Sequence, residues 1–401
     1  DPAALTFNTR KSIEHKQGGV VYERRLGGSD SLRALGYYGL RTVTQFQSIP
    51  VAPQANPLHP GGVIDLDRDF GGVDLRWTHK GSLAKAPLTL TAGVNYDRMA
   101  ERRKGFQNFV GSQLGVQGAL RRDEDNTVTN FDQYLQAEWQ PHSRWIASAG
   151  VRHSEVKFDS KDYYIVGANR DDSGSVRYSS VSPVAGLVFR LAPGANLYAS
   201  AGKGFETPTF VELAYRPGGA SGLNFALQPA KSKNYEIGVK AFVDVNTRVN
   251  LALFKVNTTD EIVVLTNVGG RATFQNASRT ERKGLELSVE SLLSRGFNAY
   301  AAYTYLDASY AQAFLTCVAA PCAAPSTAVP AGNRIPGVPR TTLYGELQWK
   351  HAPSGFSTAL EARWNASVYV NDVNSESAGS YAVANWRAGF EQNSGGWQIR
   401  E

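Results

Sequence analysis

Apolar and polar residues alternate one by one in short segments that recur along the whole chain. Between Pro87 and Asp97, every second residue from Leu88 onward is apolar or aromatic, and the residues between are polar or glycine. The same alternation recurs around Leu135, Leu285, Leu343 and Leu360. Because successive side chains of a β-strand point to opposite faces, each segment predicts a strand with one apolar face and one polar face.

The links between these segments alternate in length. Eight short links are predicted at residues 27–30, 81–86, 141–143, 193–196, 244–246, 294–296, 352–355 and 393–396. Seven long links are predicted at residues 48–70, 102–126, 159–175, 206–230, 260–272, 307–336 and 371–380. Short periplasmic turns that alternate with longer extracellular loops are typical of an outer-membrane β-barrel. The fold class predicted is therefore all-β, a transmembrane antiparallel barrel with about sixteen strands in this chain.

Two other architectures fit the sequence less well. No segment approaches the roughly 18 consecutive apolar residues that a membrane helix needs. A soluble domain rarely contains six structureless loops of a dozen or more residues, and six of the seven long links have that length, which disfavours a large soluble β-protein.

Composition supports a barrel and argues against a nucleic-acid-binding protein. The 401 residues include 39 Gly, 18 Tyr, 18 Phe and 7 Trp, which suits twisted strands with aromatic side chains at the membrane interfaces. The net charge is +6, but Lys and Arg are spread along the chain and mostly alternate with acidic residues. We therefore expect no nucleic-acid partner.

The two cysteines are Cys317 and Cys322, which lie in a Pro/Ala-rich link. This spacing suggests one local disulfide formed in an oxidising compartment. A zinc-binding pair is the weaker alternative, because no histidine lies between or beside them.

The ends of the chain suggest part of a larger barrel. The first strand has no partner before it, and the chain stops as a strand begins near Trp397. An isolated sheet of this kind would leave an open edge in lipid. We expect a fragment, and a complete passive porin or sugar-specific channel is the alternative.

Five segments resemble, in order, those of TonB-dependent siderophore receptors. They are AGKGFETPTFVEL (residues 201–213), LQPAKSKNYEIGVK (227–240), NASRTERKGLELSVE (276–290), AYTYLDA (302–308) and GNRIPGVPRTTL (332–343). Ala230 stands where the family usually has Glu. Residues 7–77 are most similar to the branch that includes the ferric citrate receptor.

The resemblance implies a barrel of 22 strands, preceded by a plug domain that this chain lacks. Residues 1–401 would then form a partial barrel domain in the outer membrane of a Gram-negative bacterium. The implied function is TonB-dependent uptake of a ferric siderophore or ferric citrate into the periplasm. The implied partners are the TonB–ExbB–ExbD complex, reached through the missing plug, and outer-membrane lipid with lipopolysaccharide.

No enzymatic activity, resident cofactor or metal site is expected. The six histidines lack close metal-ligand spacing, and no Gly-x-Ser-x-Gly segment is present. Iron would be cargo held by its chelator, and the sequence leaves open whether that chelator is citrate, a catecholate, a hydroxamate, heme or cobalamin.

Basic and aromatic residues in the predicted long links are the candidate ligand contacts. The candidates are Arg102, Arg103, Arg121, Arg122, Lys161, Tyr163, Tyr164, Arg216 and Arg271. Other aromatic residues in or beside these links are Phe106, Phe109, Tyr215 and Phe225. Guanidinium groups match the carboxylate or catecholate oxygens of anionic ferric chelates. Alternatively, the same residues pair with Asp123, Glu124 and Asp125 or with lipopolysaccharide phosphates.

Overall fold

The computed structural model describes residues 2–268, 271–318, 322, 324–394 and 397–400. Within these residues there are 22 strands. The first eleven are β1 (Arg10–Arg25), β2 (Asp30–Phe46), β3 (Val63–Leu83), β4 (Ala86–Phe106), β5 (Phe109–Val110), β6 (Gln113–Leu114), β7 (Leu120–His142), β8 (Trp145–Asp162), β9 (Gly174–Ala192), β10 (Ala195–Glu206) and β11 (Ala230–Phe242). The others are β12 (Thr247–Val268), β13 (Arg271–Leu292), β14 (Phe297–Tyr310), β15 (Phe314–Thr316), β16 (Thr327–Val329), β17 (Thr341–His351), β18 (Phe356–Asn365), β19 (Val368–Tyr369), β20 (Ser377–Ala378), β21 (Tyr381–Ser394) and β22 (Trp397–Arg400).

The helical elements are short. They are the α-helices α1 (Pro2–Thr6) and α2 (Phe210–Leu213) and the 3₁₀ turns Ala52–Ala55, Pro217–Gly219 and Ser294–Gly296. Among the described residues, no helix has the length and apolar character needed to cross a membrane.

Sixteen of the described strands form one antiparallel sheet, and six form three small hairpins within long links. The order in the sheet is β1-β2-β3-β4-β7-β8-β9-β10-β11-β12-β13-β14-β17-β18-β21-β22, so each strand pairs with the next strand of the sheet along the chain. The prediction of an all-β chain with about sixteen antiparallel wall strands is confirmed. At one tight turn, between β3 and β4, both Ala84 and Lys85 have positive φ, as a type I′ hairpin requires.

Strand register aligns the apolar residues on one face of the sheet. Val94 pairs with Leu75 on β3, and Leu135 of β7 pairs with Val151 on β8. The row continues to Leu360, which pairs with Trp386. Trp386 is 73% exposed, which suits a side chain that contacts lipid rather than a protein core. We call this face outward.

Polar side chains occupy the inward face. Tyr37 donates a hydrogen bond to Asp97 at 2.7 Å, and Tyr198 donates one to Glu236 at 2.6 Å. Arg387 forms an ion pair with Glu346 at 2.8 Å. The predicted alternation between an apolar and a polar face is therefore present along the wall.

The main buried cluster lies at the end of the wall that carries the long links. Phe158 and Tyr178, on the inward face of β8 and β9, pack with Phe210, Leu213, Leu223 and Leu227 of the link at residues 207–229. Phe158 meets Phe210 edge to face, with ring centroids 5.0 Å apart. The apolar side of this link is thus held against the inside of the wall.

Several strands extend further than the sequence pattern predicts. The prediction of a long link at residues 260–272 is wrong, because β12 continues to Val268 and β13 begins at Arg271. The predicted link at 102–126 shrinks to 107–119, and the one at 48–70 to 47–62. A membrane-spanning strand needs only about 9–11 residues. Beyond the lipid no face of the strand has to be apolar, so the alternation fades while backbone pairing continues.

Candidate functional site

The link at residues 207–229 carries the centre of the candidate site. Helix α2 begins with a capping box, in which the Thr209 hydroxyl accepts from the Glu212 amide and Glu212 accepts from the Thr209 amide at 2.7 Å. The Tyr178 hydroxyl donates to the Leu227 carbonyl at 2.7 Å and fixes the far end of the link. Tyr215 follows the helix and is directed to the inside of the wall by these two anchors.

Three arginines from distant parts of the chain surround the Tyr215 ring. The guanidinium carbons of Arg103, Arg122 and Arg271 lie 5.7, 5.9 and 4.8 Å from its centroid. Arg103 also donates to the Tyr215 hydroxyl oxygen at 3.3 Å. We call these four residues the arginine–Tyr215 cluster. It lies in the region of the long links.

The cations set the ionisation of the phenol. Burial by itself would raise the pKa of Tyr215. The positive charges of Arg103, Arg271 and Arg122, with the hydrogen bond from Arg103, lower it by more, so the pKa of Tyr215 is below its usual value. Cations close to a phenol favour the phenolate form. The cluster therefore presents a strongly positive environment.

The positive charge of the cluster is only partly balanced. Arg122 pairs with the buried Glu124 at 2.5 Å and donates to the Ala214 carbonyl at 3.0 Å. Arg271 donates to the Gly61 carbonyl. Nη2 of Arg122 and both Nε and Nη1 of Arg271 are buried without a hydrogen-bond partner among the described residues. Unpaired buried donors are costly, and anionic oxygens would satisfy them.

A small cavity of about 30 Å³ adjoins the cluster. Its lining includes Arg121, Arg122, Glu124, Tyr164, Asp172 and Tyr215. His59 lies near it, and its ring Nδ1 accepts from the Gly61 amide at 3.2 Å. Burial, with the nearby cations Arg271 and Arg121, lowers the pKa of His59 to about 4. The histidine is therefore neutral at neutral pH.

Three predicted ligand residues lie on the outward face instead. Arg102 pairs with Asp123 at 2.8 Å and Asp125 at 3.0 Å, and its guanidinium lies 4.4 Å from the centroid of Tyr163. The Lys161 ammonium lies 5.1 Å from the same centroid. The Tyr163 hydroxyl donates to Asp125 at 2.9 Å. These contacts match the alternative in which basic residues pair with neighbouring acids.

The remaining predicted residues flank the cavity. Arg121 donates to the His59 carbonyl at 3.2 Å, and Arg216 lies 3.8 Å from Asp172. Tyr164 lines the cavity. The sequence places all nine predicted ligand residues in long links, but six of them are in strands β4, β7, β8 and β13, namely Arg102, Arg103, Arg121, Arg122, Lys161 and Arg271. The reason is the strand extension described above.

Sequence reasoning missed the central position of Tyr215 and the separation of Arg102 from Arg103. The second of these had a signal in the sequence. In β4 the even-numbered residues from Leu88 to Tyr96 form the outward row, and continuing that count places Arg102 outward and Arg103 inward. No comparable signal marks Tyr215, because a link of 23 residues has no fixed period.

The disulfide is formed between Cys317 and Cys322, with Cα atoms 6.0 Å apart. It closes a loop within the link between β14 and β17. Where this link begins, at the last residue of β14, the Tyr310 hydroxyl donates a hydrogen bond to Asp372 at 2.6 Å. This contact is separate from the arginine–Tyr215 cluster.

The wall, with its outward apolar band, inward polar face and alternating links, is the wall of an outer-membrane β-barrel. Residues 3–400 match the family described as TonB dependent receptor-like, beta-barrel. The chain belongs to this family and is an integral part of an outer membrane of a Gram-negative bacterium.

The chain is also similar in sequence to named receptors. The chain is 22% identical over 282 residues to the probable TonB-dependent siderophore receptor PiuA of Acinetobacter baumannii, covering 68% of this chain and 36% of that protein. It is 24% identical over 231 residues to the ferrioxamine B receptor of Salmonella typhimurium, covering 55% and 30%. The matched region thus spans about a third of these relatives.

Solved structures share the fold. The siderophore receptor PiuA from Acinetobacter baumannii superposes with a TM-score of 0.76 at 17% identity, over 96% of this chain and 59% of that one. The ferric citrate transporter FecA in its unliganded form superposes with a TM-score of 0.73 at 14% identity, over 96% and 55%. These similar scores do not separate the ferric citrate branch from others, so that finer assignment stays a prediction.

Proposed function

We propose that this chain is the ligand-facing wall of a receptor for TonB-dependent uptake of an anionic ferric chelate into the periplasm. Within it, Arg103, Arg122 and Arg271 bind oxygen atoms of the chelate. The observation that carries the proposal is the convergence of three guanidinium groups around Tyr215, with buried N–H groups that have no partner among the described residues.

The chemistry of the cluster suits carboxylate, catecholate or hydroxamate oxygens. A guanidinium presents its N–H groups in a planar fork that binds two oxygens at once. A buried site has a lower effective dielectric than water, so the attraction between its cations and an anion is stronger. The Tyr215 ring adds a flat apolar surface for the organic part of a chelate. Iron arrives as cargo within the chelate, and no resident cofactor is required.

The names of the relatives support a ferric chelate as the cargo class. They include a siderophore receptor, a ferrioxamine B receptor and a ferric citrate transporter. A copper transporter also shares the fold, with a TM-score of 0.71. Membership of a family of receptors disfavours the passive porin or sugar channel. Energy for uptake would come from the TonB–ExbB–ExbD complex acting through a plug domain.

The test is equilibrium binding to the complete receptor. Purified protein is titrated with ferric citrate and with anionic siderophores, and binding is followed by quenching of intrinsic fluorescence. The variants are Arg103→Gln and Arg271→Gln, and the matched control is Arg102→Gln. Loss of one charge-assisted contact costs about 1.5–3 kcal/mol, or roughly 10–150-fold in Kd. Arg102→Gln should bind as the parent does.

Two results would overturn the proposal. One is unchanged affinity for every anionic chelate in both cluster variants, with the same thermal unfolding midpoint as the parent. The other is an equal loss of affinity in Arg102→Gln, because that residue lies on the outward face among its own acidic partners.

A further inference from the structure

A second group of cationic and aromatic side chains lies on the inward face of β1, β2 and β3. Arg41 pairs in register with His15 on β1 and with Arg68 on β3. Arg68 in turn pairs with Glu101, which precedes Arg103 by two residues on β4. At about 3.4 Å per residue, this row lies roughly 7 Å further from the long links than the row of Arg103. It is therefore a neighbour of the arginine–Tyr215 cluster on the inner wall.

Arg41 is a cation without a counter-ion. It has no ion pair and no side-chain hydrogen bond among the residues that the structure describes, and its Nε atom is buried there without a partner. Arg68, directly opposite, binds the buried carboxylate of Glu101 instead. Like charges placed directly opposite in an antiparallel pair repel. An anion in the lumen would both satisfy Arg41 and relieve this repulsion.

Aromatic rings lie beside Arg41 on the same face. Phe70 pairs with Gly39, and a Cβ atom added to Gly39 would overlap the Phe70 ring. The ring therefore lies across β2, in the space that the glycine leaves. It stacks with the His15 ring, with centroids 5.5 Å apart and planes 25° apart, and its centroid lies 6.4 Å from that of Tyr37. We call His15, Tyr37 and Phe70 the aromatic patch.

The aromatic patch borders the link at residues 207–229. Phe70 pairs in register with Met99, which packs against the buried cluster that holds this link. Phe70 and Tyr37 are only partly buried, and His15 is exposed. The Tyr37 hydroxyl already donates a hydrogen bond, so the patch offers ring surfaces to the lumen. Exposed apolar surface on an otherwise polar face indicates a contact with a partner.

We propose that Arg41 and the aromatic patch form a subsite for an aromatic, catecholate-type arm of the chelate. Aromatic rings stack favourably in an offset arrangement, and a guanidinium binds the anionic oxygens at the edge of a catecholate ring. Citrate carries carboxylates but no ring, so it would use the arginine–Tyr215 cluster alone. The inference rests on the proposed function and deepens it, because it names the class of chelate.

The test compares two chelates on the complete receptor. Equilibrium binding of ferric citrate and of a ferric tris-catecholate is followed by quenching of intrinsic fluorescence. The test variants are Arg41→Gln and Phe70→Leu, and Phe70→Tyr tests rescue by a retained ring. Arg363→Gln is the matched control. Arg363 lies on the inward face opposite Tyr344 and likewise has no ion pair among the described residues.

The expected result is a selective loss. Arg41→Gln and Phe70→Leu should each weaken binding of the tris-catecholate roughly tenfold and leave binding of ferric citrate within about twofold of the parent. Phe70→Tyr and Arg363→Gln should bind both chelates as the parent does. Gly39→Ala should reproduce the selective loss, because its Cβ displaces the Phe70 ring. It also keeps the proposal testable if Phe70→Leu fails to fold.

Three results would overturn the proposal. The first is unchanged affinity for the tris-catecholate in both Arg41→Gln and Phe70→Leu. The second is an equal loss for both chelates, which would show that the patch supports the receptor, for example by contacting its plug, and does not read the chelate. The third is a parent that binds ferric citrate but not the tris-catecholate. A parent that binds neither chelate would instead contradict the proposed function itself.

Discussion

Arg102 and Arg103 are neighbours in the chain, yet their guanidinium groups lie on opposite faces of the barrel wall. Arg102 meets Asp123 and Asp125 outside, whereas Arg103 meets the Tyr215 hydroxyl inside. The alternation of a strand separates the two side chains, and the link at residues 207–229 supplies the inner partner. The same separation provides the control variant for the chelate-binding test above.

Tyr215 should ionise at a lower pH than an ordinary tyrosine, whose pKa is about 10. The cations Arg103, Arg271 and Arg122 lower its pKa against the opposing effect of burial. The measurement is the phenolate absorbance of the complete receptor against pH, minus that of Tyr215→Phe. Arg271→Gln should move the difference curve to higher pH. A difference curve at or above the ordinary value would contradict this assignment.

The link at residues 47–62 should loosen in acid. Burial, then Arg271 and Arg121, lower the pKa of His59 to about 4, from about 6.5 in the unfolded chain. The folded pKa is the lower one, so the neutral ring contributes stability that is complete above pH 6.5 and is lost as the pH falls toward 4. The rate of limited proteolysis within the link should therefore rise over this window. His59→Gln should remove that pH dependence.

Asn108→Ala should detach the links at residues 47–62 and 107–119 from each other. Asn108 and Gln54 are fully buried, and the Gln54 amide donates to Asn108 Oδ1 at 2.7 Å. Asn108 also donates to the Ile49 carbonyl at 2.9 Å. Leaving these groups unpaired costs about 1–3 kcal/mol. Hydrogen exchange in both links should speed up, whereas the control Gln113→Ala, at an exposed residue of the second link, should change little.

Gly61→Ala should weaken chelate binding because it displaces the backbone that holds Arg271. Gly61 has φ +84, and an added Cβ would overlap the Phe106 carbonyl oxygen. Its own carbonyl accepts from Arg271, so displacement of the link would release that arginine. Gly111→Ala is the control, because Gly111 also has positive φ but has open space around it. Equal effects of the two substitutions on chelate affinity would show that the contact with Phe106 is unimportant.

The parts of the fold that follow a strict period were predictable from sequence. Alternation at Leu88–Tyr96 and around Leu135 identified the strands and their outward faces. Successive residues face lipid and water in turn, so apolar and polar residues alternate. The strand ends were less predictable. Between Arg102 and Phe106, and in residues 260–268, the strand has no face against lipid, so composition no longer distinguishes a paired strand from a loop.

The candidate site was predictable only in part. The sequence identified Arg103, Arg122 and Arg271 as candidates by residue type, but their convergence depends on contacts between residues more than a hundred positions apart. Arg103 and Tyr215 are 112 residues apart, and Arg271 and Gly61 are 210 apart. Such contacts depend on how the links fold over the wall. That folding leaves no periodic pattern in the local sequence.

The sorting of neighbouring side chains in β4 also has an evolutionary consequence. Under the proposed function, Arg103 is constrained by the cargo and Arg102 by its acidic neighbours on the outward face. A substitution at one of the two positions would then leave the contacts of the other in place. A one-residue insertion between Tyr96 and Arg102 would instead exchange the two sets of positions, which makes length changes in this strand far more restricted than substitutions.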